Sequence, residues 1–322
     1  MTQYTIVADI GGTNARFALA SQTEEGVHTQ EVRFYPSKNY ISLEAVVREY
    51  MSSLPEGITP DSACLAVAGP IDKYSVTVTN LGWHNNVDEL RRHLQLKHLK
   101  VINDFVAYAY SIPLLPENQL QSVKPGDAMK CSPRVVLGPG TGFGVASLVP
   151  MNDRWHAIAC EGGHISLAST NARQAALVEI LARRHSHVSV ETILCGQGLV
   201  NLYKAMGTFL DAPTPLTTPA EITAAADARS PLAWETLDEF CRWLGSVTAD
   251  MVLVQGARGG AYLGGGILPR ISEFLQHSDF TRAFGQKGKM AEYLEPIPVS
   301  LALKSDTALM GAAAWYFDNR DS

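Results

Sequence analysis

The sequence predicts an α/β protein made of two related domains, the first organised on a mixed sheet with a parallel core. Three observations carry that prediction. A strand, a glycine-rich turn and a second strand occur together twice, once near the start and once near residue 140. In the first third of the chain, three strands are followed by apolar strand-length runs that alternate with amphipathic helical stretches. At 322 residues the chain is long enough for about two domains with real hydrophobic cores.

The first unit of that duplication is Tyr4-Thr-Ile-Val-Ala8-Asp9-Ile10-Gly11-Gly12-Thr13-Asn14-Ala-Arg16, after which Phe17 to Leu19 read as a returning strand. Consecutive glycines let backbone N–H groups converge with no side chain in the way, which suits phosphate oxygens. Asp9, at the lip of the turn, is placed to hold a hydrated Mg²⁺ that bridges phosphates. Taken alone, the stretch also reads as an ordinary hairpin whose Asp and Asn bond their own backbone. The second copy, Val135-Val-Leu-Gly138-Pro-Gly140-Thr141-Gly142-Phe-Gly144 through Val149, has the same layout. Aligning Gly12-Thr13 with Gly140-Thr141 puts Leu137 opposite Asp9, so only the first copy carries an acid. Two matched turns on two halves suggest related domains gripping one polyphosphate from opposite sides. Neither the G-x-x-x-x-G-K-[ST] loop nor a dinucleotide fingerprint running into a helix is present.

Composition sets bounds on function. Apolar residues at 46% and charged residues at 18% describe a globular protein. A net charge of −6 argues against nucleic acid or an anionic membrane as partner. The clusters Arg91-Arg92-His93 and Arg183-Arg184-His185 fall where helices should end and offset the negative helix terminus. Five cysteines, with no C-x-x-C spacing, are the usage of a reducing cytosol. With no leader-like start and no apolar run of membrane length, the expected location is cytoplasmic.

Each element has its local cause. Val32 to Tyr35 read as a third strand, and Leu43, Val46, Val47, Tyr50, Met51 and Leu54 recur at helical spacing behind Ser42 as N-cap. Ala63 to Ala68 form a strand ending at Gly69-Pro70, and alternation around Val76 and Val78 suggests another running through Thr79 to Asn80. Asn86 and Glu89 resemble a capping pair for the next helix. Leu99 to Asn103 is a strand, and the helix from Phe105 is stopped by Pro113. Pro113 to Pro133, rich in Pro, Gln, Lys and Gly, is the candidate domain boundary. Beyond the second hairpin, Trp155 to Ala159 read as a strand and Glu161-Gly-Gly-His164 as a loop. Helices are expected over Ala172 to Arg183, Val190 to Met206, Ala220 to Ala228 and Pro231 to Gln255. Ser230 with Pro231 forms a start signal for the last of these and Gly256 a stop. A strand at Ala261 breaks into Gly264-Gly265-Gly266, Val299 to Leu303 is the final strand, and an Ala-rich helix closes the chain from Thr307 to Phe317.

Several polar residues are open to two readings. Asp104 follows a strand at the edge where ligands bind in open α/β sheets; it is either the N-cap of the next helix or a base for a substrate hydroxyl, with Asn103 bonding a neighbouring one. Glu161 and His164 are either exposed groups on a tight turn or partners of adjacent hydroxyls on a polyol. Glu191 sits in the first turn of a helix capped by Ser189, where acids are favoured in any case. Gly264 to Gly266 are a plain strand end or a close approach to a flat base.

Asp9-Ile-Gly-Gly-Thr-Asn-Ala-Arg16, Ile102-Asn-Asp-Phe105, Gly138 to Gly144, Glu161-Gly-Gly-His164, Ser189-Val-Glu191 and Leu263-Gly-Gly-Gly266 occur in the order seen in bacterial glucokinases, which the chain resembles over nearly its whole length. These belong with actin, heat-shock ATPases and sugar kinases. The resemblance implies a two-lobed, duplicated ribonuclease-H-like (actin-like ATPase) fold with ATP in a cleft between the lobes. The small domain would span 1–114 plus 303–322 and the large one 115–302, with the final helix returning to the first lobe. ATP would be bound by Ala8, Asp9, Ile10, Gly11, Gly12 and Thr13, by Gly138, Gly140, Thr141 and Gly142, and by Gly264 and Gly265, with Mg²⁺ on Asp9 through water. Asp104 becomes the base for the 6-hydroxyl of glucose, and Asn103, Glu161, His164 and Glu191 the sugar's hydrogen-bond partners. The implied reaction is phosphorylation of glucose to glucose 6-phosphate by a homodimer. Related repressor and sugar-kinase proteins carry a zinc-binding cysteine cluster after Glu-x-x-His; with that cluster and an N-terminal DNA-binding extension both absent, the expectation is no zinc and no operator binding. Cys160 and Cys195 are minor departures from the family pattern. The rivals are a kinase for another hexose or an amino sugar, and a sugar-sensing nucleotide-binding regulator.

Overall fold

The computed structural model describes residues 4–320 except 25, 70, 73, 79, 80, 153, 305 and 306. The elements run β1 Thr5–Ile10, β2 Asn14–Thr23, β3 Gly26–Pro36, α1 Leu43–Ser52, β4 Ser62–Val67, β5 Ser75–Val78, β6 Trp83–Asn86, α2 Val87–His93, β7 His98–Asn103 and α3 Asp104–Ser111. After these come β8 Leu120–Lys124, β9 Arg134–Pro139, β10 Phe143–Met151, β11 Arg154–Cys160, α4 Ala172–Ala182, α5 Gly196–Leu210, α6 Pro219–Asp227 and α7 Pro231–Gln255. The chain ends with β12 Ala261–Leu263, α8 Ser272–His277, α9 Phe280–Gly285, α10 Ala291–Leu294, β13 Val299–Ala302 and α11 Ala308–Asn319. The described residues form two compact units: one from 1–115, 155–159 and 306–322, the other from 116–154 and 160–305.

In the first unit the sheet has the order β3-β2-β1-β4-β7. β1, β4 and β7 are parallel, and β2 and β3 add an antiparallel flank. Alternation along β1 sends Ile6, Ala8 and Ile10 to one face, where they pack with Leu43, Val46, Val47 and Tyr50 of α1. Ser42 starts that helix by accepting from the Ala45 N–H at 3.1 Å. Val7, Ala18, Ala20, Cys64 and Ala66 line the opposite face against Val106 and Ala107 of α3 and Ala308, Leu309, Ala312 and Ala313 of α11. Burying each large apolar side chain contributes about 1.5–3 kcal/mol, so both faces hold the sheet. α11 meets α3 at Gly311, where a Cβ would lie 1.8 Å from the Ala107 carbonyl oxygen. Only glycine allows helices that close.

In the second unit neighbouring strands follow the order β10-β9-β12-β13-β8. β9 and β10 form the antiparallel hairpin, and β12 runs parallel to both β9 and β13. The long α7 fills the core with fully buried Leu237, Phe240, Trp243 and Leu244, and the Trp243 indole N–H donates to the Ala168 carbonyl at 3.0 Å.

Several boundaries differ from expectation. α5 begins at Gly196, capped by the Cys195 sulfur, so residues 190–195 form turns and no helix starts at Val190. Gly198 lets the 190–195 turn pack against the start of α5, because a Cβ there would lie 2.2 Å from the Ile193 carbonyl oxygen. β6, unmarked by any apolar alternation, pairs with β5. Part of the stretch read as a boundary is β8, which completes a sheet edge against β13. The expected features at Pro70, Thr79 and Asn80 lie outside the described residues.

One buried cluster makes stability depend on pH. Glu239 is 3% exposed, accepts from the Gln174 side-chain amide at 2.7 Å and lies 3.9 Å from Arg242. Burial pushes its carboxyl up, opposed by the Gln174 hydrogen bond and then by Arg242 and Arg173. Above the ordinary glutamate range the unfolded chain releases this proton while the folded chain still holds it. Glu239 therefore costs stability as pH rises from that range through its folded pKa. Glu239→Gln keeps an acceptor for Gln174. The expected result is a variant whose stability relative to wild type increases with pH across that window, measured by urea unfolding from pH 4.5 to 7 (the range set by the ordinary glutamate value and neutrality, about 2–3 units).

Candidate active site

The first unit brings one edge of its sheet to a focus. Ile10 pairs with Val67 and Val67 with Asn103, so the carboxyl ends of β1, β4 and β7 are level. Two interstrand spacings separate β1 from β7, roughly 10 Å. Asp9 shares the sheet face of Val7, the face covered by α3, and Asp104 is the first residue of α3. Asp9 and Asp104 therefore belong to the same edge and the same layer, although 95 positions apart in sequence (104 minus 9).

Local bonds set each group. Asn103, not Asp104, is the N-cap of α3: its Oδ1 accepts from the Phe105 N–H at 2.9 Å and the Val106 N–H at 3.3 Å. That leaves the Asn103 amide NH₂ as its outward donor. Asp104 Oδ1 accepts from Phe105 N–H at 3.0 Å, and the helix N-terminus favours its anion. Asp9 lies opposite Arg16 in the β1–β2 register, with 3.5 Å between carboxylate and guanidinium. Burial pushes the Asp9 carboxyl up, and the nearby Arg16 charge works against that shift. Arg16 also lies over the Phe34 ring, 5.8 Å from its centroid.

The turn between β1 and β2 is tighter than a free phosphate cradle. Gly11 N–H donates to the Asn14 carbonyl at 3.0 Å, so it is already engaged, while Gly12 and Thr13 have no backbone acceptor among the described residues. From behind, Ser37 pins the turn: its hydroxyl donates to the Gly11 carbonyl at 2.8 Å and its N–H to the Thr13 carbonyl at 3.0 Å. Ser37 is fully buried. Its support could not be read from sequence, because it arrives from the far end of β3.

In the second unit the glycines divide by what surrounds them. A Cβ on Gly138 would lie 2.1 Å from the Gly264 carbonyl oxygen, and one on Gly265 would lie 2.2 Å from that of Pro139. Gly264 N–H donates to the Leu137 carbonyl at 3.0 Å. Backbone meets backbone there, which is reason enough for Gly138 and Gly265. Around Gly140 and Gly266, by contrast, a Cβ would meet nothing within 4 Å. Packing does not demand glycine at those two positions. Gly140 N–H donates to the Gly142 carbonyl at 2.8 Å, leaving Thr141 and Gly142 as this turn's donors without a backbone acceptor among the described residues.

Gly162 to His164 form one 3₁₀ turn where a plain loop was expected. The glycines let that turn lie on β10, since a Cβ on Gly163 would be 2.3 Å from the Phe143 carbonyl oxygen. Glu161 and His164 are consequently lifted outward, 75% and 63% exposed, with Oε2 and Nε2 3.9 Å apart. Glu191 is not in the first turn of a helix. It lies in the turn before α5, and its Oε2 accepts from the Phe143 N–H at 2.7 Å. The second unit thus gathers Glu161, His164 and Glu191 around Phe143 and the glycine hairpin.

The first unit thus offers a carboxylate at a helix start, an amide beside it and a second carboxylate at a glycine turn, and the second unit offers two carboxylates and an imidazole beside its own glycine hairpin. Comparisons with known proteins give the family. The glucokinase family profile matches residues 6–319. The glucokinase of Chromohalobacter salexigens is 40% identical over 312 residues, covering 97% of both chains. That of Salmonella typhi is 38% identical over 315 residues, covering 98% of this chain and 97% of its own. Among solved structures, a glucokinase from an Antarctic psychrotroph superposes with a TM-score of 0.88 at 41% identity, over 99% of this chain and 100% of that one. The Streptomyces griseus ROK-family glucokinase, solved with glucose and AMPPNP, shares the fold at a TM-score of 0.67 and 20% identity, covering 97% of this chain and 98% of its own. The chain belongs to the glucokinase family.

Proposed function

We propose that this enzyme transfers the γ-phosphoryl group of ATP to the 6-hydroxyl of D-glucose, giving glucose 6-phosphate. The observation that supports the reading is the level edge at Ile10, Val67 and Asn103, which brings the start of α3 with Asp104 and the Gly11–Thr13 turn to the same end of one sheet. Asp104 takes the hydroxyl proton as the oxygen bonds to phosphorus. The Asn103 amide donates to a neighbouring sugar oxygen, and Glu161, His164 and Glu191 hold the remaining hydroxyls. Thr141, Gly142, Gly12 and Thr13 offer backbone N–H groups to the phosphates, and the open space at Gly140 and Gly266 admits the nucleotide. A lone half-buried carboxylate fits Mg²⁺, which ordinarily takes one or two carboxylates and leaves its other positions to phosphate and water. Asp9 would hold it, and when bound it neutralises phosphate charge. Because phosphoryl transfer passes through a loose transition state, positioning and charge stabilisation are the main protein contribution.

The test is a coupled assay over glucose, mannose, fructose and N-acetylated hexosamines, with and without Mg²⁺. The expected result is the highest kcat/KM for glucose and dependence on the metal. A different preferred sugar would replace glucose in this reading, and ATP hydrolysis without a phosphorylated sugar would replace the kinase with a nucleotide-binding regulator. We further propose a cytoplasmic homodimer. Cys64, Cys131, Cys160, Cys195 and Cys241 form no disulfide among the described residues, which suits a reducing compartment, and no described helix is long and apolar enough to cross a membrane. Light scattering on the purified protein checks the dimer.

A further inference from the structure

Residues 188–196 lace together two parts of the second unit that serve different ligands in the function proposed above. On one side they pair with the chain that continues from Glu161 to His164. Leu167 N–H donates to the Val188 carbonyl at 3.0 Å, Val190 N–H to that of Ile165 at 3.0 Å, and Glu191 N–H to that of Gly163 at 2.8 Å. On the other side they hold the β9–β10 turn. Phe143 N–H donates to Glu191 Oε2 at 2.7 Å, and Gly196 N–H donates to the Gly140 carbonyl at 3.0 Å. There is no slack between these parts. A Cβ on Gly142 would lie 2.4 Å from Glu191 Oε2, and one on Gly163 would lie 2.3 Å from the Phe143 carbonyl oxygen. The strap is itself fixed, since Ser189 N–H donates to Thr192 Oγ1 at 3.0 Å and the Asn201 side-chain amide to the Thr192 carbonyl at 3.1 Å.

We infer that the segment from Glu191 to Gly196 couples sugar binding to the phosphate hairpin, with Glu191 and Gly196 as positioning residues. The inference rests on the sugar and nucleotide roles proposed above. One carboxylate has two customers: Oε2 is engaged by the hairpin, and Oε1 is the acceptor available to a sugar hydroxyl. A sugar that fixes the carboxylate fixes the Phe143 N–H, and with it the Thr141 and Gly142 donors. Without sugar those donors are less well placed for a triphosphate. Water is an alternative phosphoryl acceptor, so a hairpin completed only with sugar present suppresses wasteful hydrolysis. Linkage makes the effect reciprocal: nucleotide must tighten sugar by the same factor that sugar tightens nucleotide.

Gly196 permits a clean test. It is the first residue of α5, a position where proline is well tolerated. Gly196→Pro removes the N–H that the Gly140 carbonyl accepts. Gly196→Ala keeps that N–H, and its Cβ would have no neighbour closer than 3.6 Å. Calorimetry gives the Kd of AMPPNP with and without glucose, and of glucose with and without AMPPNP. In wild type and Gly196→Ala, each ligand is expected to tighten the other by the same factor, within about 5–150-fold. In Gly196→Pro, glucose alone is expected to bind as in wild type while the mutual tightening is lost. Wild-type coupling in Gly196→Pro, or independent binding of the two ligands in wild type, would overturn the inference. Failure of wild type to bind glucose at all would instead overturn the proposed function. Should Gly196→Pro not fold, Asn201→Ala loosens the strap at Thr192; reduced coupling there supports the link, and undiminished coupling refutes it.

Discussion

Asp104→Asn is expected to lower kcat for glucose phosphorylation by about 10²–10⁴-fold, the usual cost of losing a general base. The variant keeps the shape of the side chain, and its amide oxygen still accepts from Phe105 N–H, so the start of α3 is preserved. Replacing a carboxylate there forfeits only about 0.3–1 kcal/mol of interaction with the helix terminus. Glucose binding should stay close to wild type, because Asn103, Glu161, His164 and Glu191 are untouched. Steady-state kinetics with a separate calorimetric Kd distinguish the two effects. A kcat within a few-fold of wild type would show that another group takes the proton.

The second large effect is expected at a residue that touches no ligand. Gly311→Ala places a Cβ 1.8 Å from the Ala107 carbonyl oxygen and 2.9 Å from the Ser111 nitrogen, both on α3. In an unconstrained helix this change stabilises by roughly 0.5–1 kcal/mol. Here backbone opposes it, and overpacking of that kind costs about 1–3 kcal/mol or more. The clash wins. Separation of α11 from α3 weakens the cluster of Val106, Ala107, Ala308 and Ala312, and it moves the helix that carries Asp104. The expected outcome is a Tm lowered by several degrees, about 2–4 °C per kcal/mol for a domain of this size. A displacement near 1 Å at the base costs on the order of 10²-fold in kcat. Gly285→Ala is the control, because a Cβ there meets nothing within 4 Å. Equal Tm and kcat for both variants would remove Gly311 from any role in holding α3.

These two residues mark the difference between what is local and what is not. The place of Asp104 is legible in the sequence because a strand ends at Asn103 and a helix begins just after it, and that order makes the edge a candidate for ligand binding. Which of the two neighbours caps α3 was not visible, since either side chain is chemically able to do it. In the sequence Glu191 reads as a binding candidate at a helix start, because Ser189 imitates a cap. The helix starts at Gly196 behind the Cys195 cap, and the glycine at 198 lets the preceding turn lie tight against it. Ser37 gave no signal, as its partners Gly11 and Thr13 lie more than twenty residues earlier in the chain. β8 was hidden in a polar, proline-bounded stretch, because an edge strand needs little apolar pattern when a neighbour such as β13 supplies the pairing.

By itself the sequence determined the duplicated strand–turn–strand units, the α/β class and the amphipathic faces. All of these follow from spacing and residue type within a few turns of chain. Only the tertiary structure decided which glycines serve packing and which do not, that Glu191 grips the second hairpin, and that Asp9 and Asp104 share an edge. Those outcomes depend on backbone from distant segments approaching within van der Waals distance, and no local pattern encodes the partner across such a contact.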